Sequence, residues 1–313
     1  RPSTQSPRRE FYMSTLKSSS DHLTINADGA SKNILFQANG VQKASISSAG
    51  AFTSTTIDAT ALTGALSFLS GGELTTGSDA AHDFNISALS CMDTAKTKVC
   101  TVAALTAKAF DANFAEGSSA GGMATGISLP ASGTVHFFVA EKNAALGTFD
   151  IIGDTSVTMA NGVSGWTMRR RIASRITDGS NNFLASTQNG DEVLLSVPIN
   201  SFATTNPGTS AVTQAMSTPA GIETRGIFNF WHIHPTLSAA EYLLITAIEQ
   251  ADTAAAAGAQ SGALHAGNDR QNINIDLRTN TSSQIRYRVS VSDENVDVRA
   301  FTFGWIDTRG KDD

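Results

Sequence analysis

The densest strand signals in the chain lie in GTVHFFVAEKNAALGTFDIIGDTSVTM, residues 133–159, and in GWTMRRRIASRITDGSNNFLASTQNGDEVLLSVPIN, residues 165–200. In the first segment, the VHFFVA run at 135–140 places apolar side chains on both faces of one strand. This pattern is typical of a strand that is covered on both sides. The run is therefore predicted to be a core strand of a β-sandwich or to lie at a contact between subunits.

The second segment begins with a strand whose two faces differ. Its apolar positions are Trp166, Met168, Ile172 and Ile176, and its charged positions on the opposite face are Arg169, Arg171 and Arg175. Because side chains alternate with period two, the pattern predicts one packed face and one solvated face. Arg170 falls on the apolar side, where an unpaired charge is costly. We expect it to find a carboxylate or carbonyl partner, including one from a neighbouring chain.

Several short motifs in this region carry a resemblance to a known family. They are Phe-Phe-Val-Ala at 137–140, Gly-Trp at 165–166, Arg-Arg-Arg-Ile-Ala-Ser at 169–174, Thr-Asp-Gly-Ser-Asn-Asn-Phe at 177–183 and Gln-Asn-Gly-Asp at 188–191. Over residues 80–200 the chain resembles a module of tail fibres and related virion fibres of tailed bacteriophages, although Ala173 stands where that family usually has glycine. The resemblance implies a β-rich, homotrimeric module of the virion, made in the host cytoplasm.

Composition bounds the class of protein independently of any motif. The chain has 313 residues, of which 41% are hydrophobic and 16% charged, and its formal net charge is -6. This length allows two or three domains. The negative charge argues against a general nucleic-acid binder. No run approaches the roughly 20 apolar residues of a membrane span, and no signal peptide is indicated, so we expect no membrane insertion.

The amino-terminal part predicts an arm and a fibrous shaft. Residues 1–20 are polar and basic and are expected to be a flexible arm, which either attaches to other virion proteins or is an end without a partner. Residues 21–58 alternate in short segments between glycine turns, which predicts a β-meander. The meander has too few large apolar residues to close a core alone, so its core is expected to be shared in a homotrimer. Residues 59–79 are predicted to be a hinge, with a short helix or a loop over 62–69.

The remaining chain predicts a β-sandwich module at 80–200 and a β-rich head at 201–313. Within the head, residues 226–234 predict a buried strand, and residues 241–250 fit either a helix or a strand, with a short helix expected near 238–257. Alternating residues over 272–278, 285–291 and 296–306 predict half-buried strands. The last two are expected to form a hairpin, with Phe301, Phe303 and Trp305 on one face. The predicted fold is thus all-β, with a meander shaft followed by a jelly-roll-like sandwich head in a homotrimer.

Sequence signals for chemistry are weak. Cys91 and Cys100 lack further zinc ligands and are expected to be unpaired thiols. His232 and His234 lie on one strand face, which suits metal chelation or, more simply, packing and hydrogen bonding. A glycosidase would need two facing carboxylates, and the available acidic residues are Asp111, Glu116, Asp150, Asp154, Asp191 and Glu192. No nucleophile elbow or phosphate-binding loop is present. We therefore predict no enzyme activity, no catalytic residue, no metal and no cofactor.

The predicted function is attachment of a virion to the host cell surface through exposed loops. The alternatives are a tailspike depolymerase that cleaves surface polysaccharide and a secreted bacterial lectin-like adhesin. The loops predicted to contact a host glycan or protein are residues 201–221 and 251–269, with His265, Asn268 and Asp269 as receptor-contact candidates. Trp231 and Trp305 are able to stack on a sugar, but both are expected to belong to the core.

Overall fold

The computed structural model of the protein describes residues 33–38, 41–48, 52–54, 67–234, 241–256, 264–266 and 270–311. The chain divides into two compact units, Arg1–Thr63 and Gly64–Asp313. All regular secondary-structure elements of the described residues are β-strands. The fold is therefore all-β, as predicted. In the same residues, no helix is long and apolar enough to cross a membrane. The predicted arm and residues 59–66 of the predicted hinge lie outside the described ranges.

The strands are numbered in chain order. The first unit contains β1 (Ile34–Ala38), β2 (Val41–Ile46) and β3 (Phe52–Ser54). The second unit contains β4 (Leu69–Gly71), β5 (Leu74–Thr76), β6 (Asp83–Ile86), β7 (Leu89–Met92), β8 (Val99–Val102), β9 (Leu105–Asn113), β10 (Gly121–Met123), β11 (Thr134–Lys142), β12 (Phe149–Asp154), β13 (Trp166–Ile176), β14 (Ser186–Asn189), β15 (Glu192–Thr205), β16 (Val212–Ala215), β17 (Thr224–Ile233), β18 (Glu241–Ala247), β19 (Leu264–Ala266), β20 (Gln271–Thr279), β21 (Gln284–Val289) and β22 (Asp297–Ile306).

The first unit contains the predicted meander. β1 pairs with β2 and β2 pairs with β3, both antiparallel. Leu35 and Phe36 on β1 are 49% and 42% exposed in the single chain. Among the side chains described in this unit, at 33–37 and 43–48, Ser45 alone is buried. The described part of the meander therefore contains no buried apolar side chain of its own.

The second unit begins with a sandwich of two sheets. One sheet has the order β13-β11-β12-β10-β9-β6-β5 and the other β4-β7-β8. Side chains from both sheets share one apolar cluster, in which the ring centroids of four phenylalanines lie 4.7 to 6.3 Å apart: Phe84, Phe110, Phe137 and Phe183. The core strand predicted at 135–140 is β11, which is buried on both faces. A Cβ atom on Gly122 or Gly153 would lie 2.6 or 2.8 Å from the Phe110 ring, so this close packing requires glycine.

A second sandwich completes this unit. Its sheets have the orders β14-β15-β22-β17-β20 and β16-β21-β18-β19. They share a core that includes Phe228 and Phe230 of β17 and Tyr287 of β21. β15 starts before residue 200 and continues to Thr205, so one strand crosses the position at which the sequence separates the sandwich module from the head.

Two local predictions for the carboxy-terminal part are wrong. β21 and β22 do not form a hairpin, because β21 pairs with β16 and β18 in one sheet whereas β22 pairs with β15 and β17 in the other. The residues between them cross from one sheet to its partner. Residues 241–247 form β18, and the short helix expected there does not occur. Likewise Leu69 begins β4, so the helix predicted over 62–69 does not extend to this residue.

Phe301, Phe303 and Trp305 do not share one face, because β22 contains a bulge. Gly304 pairs with Ile227 and Thr302 with the next residue of β17, which leaves Phe303 without a partner on that strand. One extra residue moves every later side chain to the other face. Trp305 is consequently fully buried, whereas Phe303 is 39% exposed.

The solvated arginine face predicted on β13 is also wrong. Arg171 and Arg175 are 4% and 1% exposed. Arg171 donates through Nη1 to both carboxylate oxygens of Asp307 at 2.9 and 2.7 Å. Arg175 donates to the side-chain oxygen of Gln188 at 2.5 Å. β13 carries two register shifts against β11, and the segment after β22 packs over it. Neither feature is visible in the period-two pattern.

Arg170 meets its prediction within its own chain. It is 1% exposed and donates to backbone carbonyl oxygens at 3.1 to 3.4 Å, those of Ser67, Phe68, Met92 and Arg309. Carbonyl oxygens thus take the place of water around the buried charge.

The segment after β22 returns from the second sandwich to the first. The Arg309 backbone N–H donates to Asp307 at 2.8 Å. The Arg309 side chain donates to the carbonyl oxygens of Ile172 at 2.8 Å and of Gly71 and Gly72 at 2.7 Å each. Burial tends to raise the pKa of Asp307, but Arg171 and the hydrogen bonds hold that pKa below its ordinary value. These contacts fix the two sandwiches to each other.

Cys91 and Cys100 are free thiols in this structure. They lie directly opposite each other on β7 and β8, and both are fully buried.

We predict that Arg309→Ala lowers the free energy of unfolding by about 3 kcal/mol, because it leaves carbonyl oxygens of the first sandwich without their donor from the carboxy-terminal segment. Urea unfolding followed by tryptophan fluorescence measures this loss. The matched control is Arg225→Ala, which removes a 58% exposed side chain lying 3.5 Å from Asp276. An exposed ion pair of this kind contributes less than about 1 kcal/mol. Equal losses in the two variants would contradict the role assigned to Arg309.

Candidate functional site

The two loops predicted to contact a receptor are joined by one arginine of the second sandwich. Arg288 of β21 donates to the Thr209 carbonyl oxygen at 3.1 and 2.9 Å. It also donates to the Asp252 carboxylate at 3.1 and 3.0 Å and to the Thr253 carbonyl oxygen at 3.3 Å. Thr209 belongs to the first predicted loop, and Asp252 and Thr253 belong to the second. The structure therefore brings the two candidate loops together.

A second arginine on the same face of β21 fixes the turn after β18. Arg286 donates to the carbonyl oxygens of Gln250 at 2.6 Å and Ile248 at 3.0 Å. The Gln250 side chain in turn accepts the Ala247 backbone N–H at 2.9 Å. This turn is held by charge-assisted hydrogen bonds, which are stronger than neutral ones.

The first loop is shorter than predicted. Residues 201–205 belong to β15 and residues 212–215 form β16, so the loop itself spans 206–211. Ser292 Oγ accepts the Gly208 backbone N–H and donates to Asn206, both at 2.8 Å. Exposed amide and hydroxyl groups are thereby presented on a constrained backbone, which suits hydrogen bonding to a partner.

The receptor-contact candidates have different outcomes. His265 lies on β19, opposite Tyr242 of β18. Asn268 and Asp269 lie outside the described residues. The sequence did not single out Arg286 and Arg288 as functional, because their alternation with apolar neighbours shows which face they occupy but not which loops they reach.

His232 and His234 form a buried polar cluster with acidic side chains. His232 Nε2 lies 3.1 Å from one carboxylate oxygen of Glu241, and His234 Nδ1 lies 2.8 Å from the other. His234 Nε2 lies 3.2 Å from the Asp293 carboxylate. Burial lowers the pKa of His232, against the opposing effect of Glu241. The two histidines therefore bind a shared carboxylate, as the packing and hydrogen-bonding interpretation requires.

Within the described ranges, one group of three metal-ligating side chains has all its ligand atoms within 4.8 Å of one another: Asp79, His82 and Asp111. The group is exposed or half-exposed. His82 Nδ1 lies 2.7 Å from Asp79, which also accepts the Ala81 backbone N–H at 2.9 Å. The hydrogen bond to Asp79 raises the pKa of His82. This geometry is that of a turn held by an ion pair.

The acidic residues considered for glycosidase chemistry mostly have structural partners. Asp150 lies 3.2 Å from buried Lys108 and accepts the Gly117 backbone N–H at 2.7 Å. Asp154 accepts hydrogen bonds from Ser156 and Asn161. Ion pairs hold three others, Asp111 with His82, Glu116 with Lys142 and Asp191 with Lys311.

Two cavities of about 900 and 880 Å³ are lined by residues of both sandwiches. The second is lined largely by small and hydroxyl side chains, and buried His136 of β11 also lines it. His136 Nδ1 lies 2.8 Å from Ser174 Oγ, which accepts a hydrogen bond from Arg171 at 3.1 Å. Burial, followed by the charge of Arg171, lowers the pKa of His136 to about 4.

We predict that His136 makes the fold acid-sensitive. An unfolded histidine titrates near pH 6.5, so the unfolded chain takes up a proton that folded His136 does not accept. Its contribution to stability is complete above about pH 6.5 and decreases by about 3 kcal/mol as pH falls towards 4. Urea unfolding between about pH 7.5 and 4.5 should show a smaller decrease for His136→Gln than for the unaltered protein.

The matched control is His82→Gln. Because the pKa of His82 is raised, this histidine stabilises the fold below pH 6.5 and loses that effect as pH rises. In His82→Gln, the free energy of unfolding should therefore decrease more steeply as the pH falls. An unchanged pH dependence in His136→Gln would contradict the prediction.

Comparisons with known proteins give no family. No protein-family model matches the chain, and no curated protein matches it. Two solved structures, of the Gx and Gt strains of infectious bursal disease virus, each align with 10% identity and a TM-score of 0.19. The alignments cover 75% and 76% of this chain and 70% and 68% of the viral chains. At this TM-score the likeness carries no argument about fold or function.

Proposed function

We propose that this protein is a structural virion fibre of a tailed bacteriophage, on the tail or the head, which attaches the particle to the host cell surface. The observation that carries the proposal is the first unit, whose described apolar side chains are exposed or half-buried in the single chain. A short meander whose described side chains form no apolar core is an assembly element rather than an independent domain. The motifs shared with phage fibres at 137–191 support the same function.

A parallel homotrimer is the assembly that this unit favours. Leu35 and Phe36 lie next to each other on β1 and are 49% and 42% exposed. Consecutive side chains of a strand point to opposite faces, so β1 exposes a large apolar side chain on each of its faces, which indicates contacts with other chains. Closed symmetry around one axis buries the same side chains of every copy at once. The N-terminal arm then joins the trimer to other virion proteins.

The second unit supplies the scaffold for host recognition. Two sandwiches joined by buried arginines hold the loops at 206–211 and 248–256 in fixed positions, and Arg286 and Arg288 anchor these loops directly. Binding residues are often carried by loops on such rigid scaffolds. Each site binds weakly, and three sites on one trimer raise the affinity for a cell surface by avidity.

The use of the carboxylates favours attachment over cleavage. A depolymerase of the usual glycosidase type needs two carboxyl groups on opposite sides of the scissile bond. Asp150 and Asp154, the most buried of the acidic candidates, are bound to a buried lysine and to loop N–H groups. These contacts give both residues structural roles.

We expect mass photometry of the purified protein to give about 98 kDa, three times the 32.7 kDa chain. The double variant Leu35→Ser/Phe36→Ser should shift the population towards monomer, because it removes the exposed apolar side chains of β1. Fluorescently labelled trimer should adhere to intact cells of a susceptible strain. The double variant should adhere at least about tenfold less, because it loses avidity.

The matched control is Leu146→Ser, which alters a 74% exposed leucine in the turn between β11 and β12. It should remain trimeric and adhere normally. A monodisperse monomer at micromolar concentration would overturn the proposed assembly. A trimer that adheres to none of a broad panel of bacterial strains would overturn the attachment function.

A further inference from the structure

The outer face of the five-stranded sheet carries exposed and half-buried side chains. On β17, side chains alternate between buried positions in the sandwich core and exposed or half-buried positions on the opposite face. β20 alternates in the same way, with half-buried positions facing the core and exposed ones outside. This open face is distinct from the loops at 206–211 and 248–256.

Strand register places aromatic and amide side chains side by side on the open face. Asn229 of β17 pairs with Phe301 of β22 on one side and with Asn274 of β20 on the other. Two residues further along β17, Trp231 pairs with Arg299 and with Asn272 in the same arrangement. The face therefore carries two adjacent rows, each with one aromatic ring and one exposed asparagine.

The two rings form a pair outside the core. The centroids of Trp231 and Phe301 lie 5.3 Å apart with their planes tilted by 51°. Both residues are half-buried, and neither belongs to an apolar core cluster of the described residues. The prediction that Trp231 belongs to the core is therefore wrong, whereas the same prediction for Trp305 is confirmed.

Ion pairs hold four charged side chains of the open face, and a fifth charged side chain lies over Trp231. Arg299 pairs with Asp297 at 2.6 Å, and Arg225 pairs with Asp276 at 3.5 Å. The Arg270 guanidinium lies 4.9 Å from the Trp231 ring centroid. A face with paired charges complements an uncharged ligand better than a polyanion or a strongly charged peptide. Its polar rows also differ from the apolar centre of a stable subunit contact.

This combination matches the chemistry of a sugar. The ring of a hexose has an apolar C–H face, which packs on an aromatic ring, and hydroxyl groups, which exchange hydrogen bonds with amides. Asn229 donates to Asn274 at 2.7 Å, and this bond orients both amides beside the rings. We propose that the open face around Trp231 and Phe301 binds a neutral glycan of the host surface. This inference rests on the proposed attachment function and names the ligand class.

The test is binding to immobilised neutral polysaccharides, namely dextran, mannan, galactan and the neutral O-polysaccharides of strains to which the protein adheres. Alginate and hyaluronan serve as acidic comparisons. The unaltered trimer should be retained by at least one neutral polysaccharide and not by the acidic ones. Trp231→Ala and Phe301→Ala should reduce this retention at least tenfold, whereas Trp231→Phe should keep most of it because a ring remains.

Further variants separate binding from folding. Asn272 and Asn274 are exposed, so the double variant Asn272→Ala/Asn274→Ala should fold normally and still lose at least fivefold in retention. The control Leu146→Ala alters the first sandwich and should not change the retention. Retention on no neutral polysaccharide, or equal retention by all variants, would overturn the proposal. Loss of the trimer in Trp231→Ala would also overturn it, because the face would then be a contact between copies.

Cell adhesion distinguishes this inference from the proposed function. If the unaltered protein and Trp231→Ala adhere equally to cells, the open face is not the glycan-binding site. The proposed attachment function is then unaffected. If the unaltered protein binds a neutral polysaccharide in the manner described but adheres to no cells, the glycan face stands and the attachment function is wrong.

Discussion

The architecture of the large unit depends on how its buried guanidinium groups obtain hydrogen-bond acceptors. Arg170, Arg171 and Arg309 are almost inaccessible to water, and a buried charge without partners would be strongly destabilising. Arg170 and Arg309 use backbone carbonyl oxygens that lie far from them in sequence, and Arg171 uses Asp307. The acceptors of Arg171 and Arg309 reach these arginines only when the carboxy-terminal segment lies against the first sandwich. The charge requirement therefore fixes the relative position of the two sandwiches.

The sequence predicts the class of fold and many strands because period-two patterns depend on local chemistry. β11, β17, β20 and the amino-terminal meander occur where the pattern places them. The pattern fails where one residue changes the register, as at Phe303, and where a distant segment covers a charged face, as at Arg171. It also cannot distinguish a hairpin from a crossing between sheets, because the turn after β21 has the same composition in both cases. Such outcomes depend on contacts between residues that are far apart in the sequence.

The candidate site was predictable to a similar degree. Composition identifies loops rich in small polar residues, and the structure joins two of them through Arg288. The sequence does not indicate that an arginine on a neighbouring strand makes this connection. For Trp231 the sequence instead gives a wrong prediction. The aromatic run around it predicts burial, although alternate positions of β17 face outwards. A binding surface on a sheet face therefore becomes visible only when the register of three strands is known.

The central claim is that one chain does not complete its own amino-terminal unit, so that a shared apolar contact between copies presents several binding heads together. A three-dimensional reconstruction of the purified protein by electron cryo-microscopy tests this claim most directly. The account predicts three copies around one axis, with Leu35 and Phe36 of β1 in contact between copies. A single copy, or an assembly in which both side chains face solvent, would contradict it.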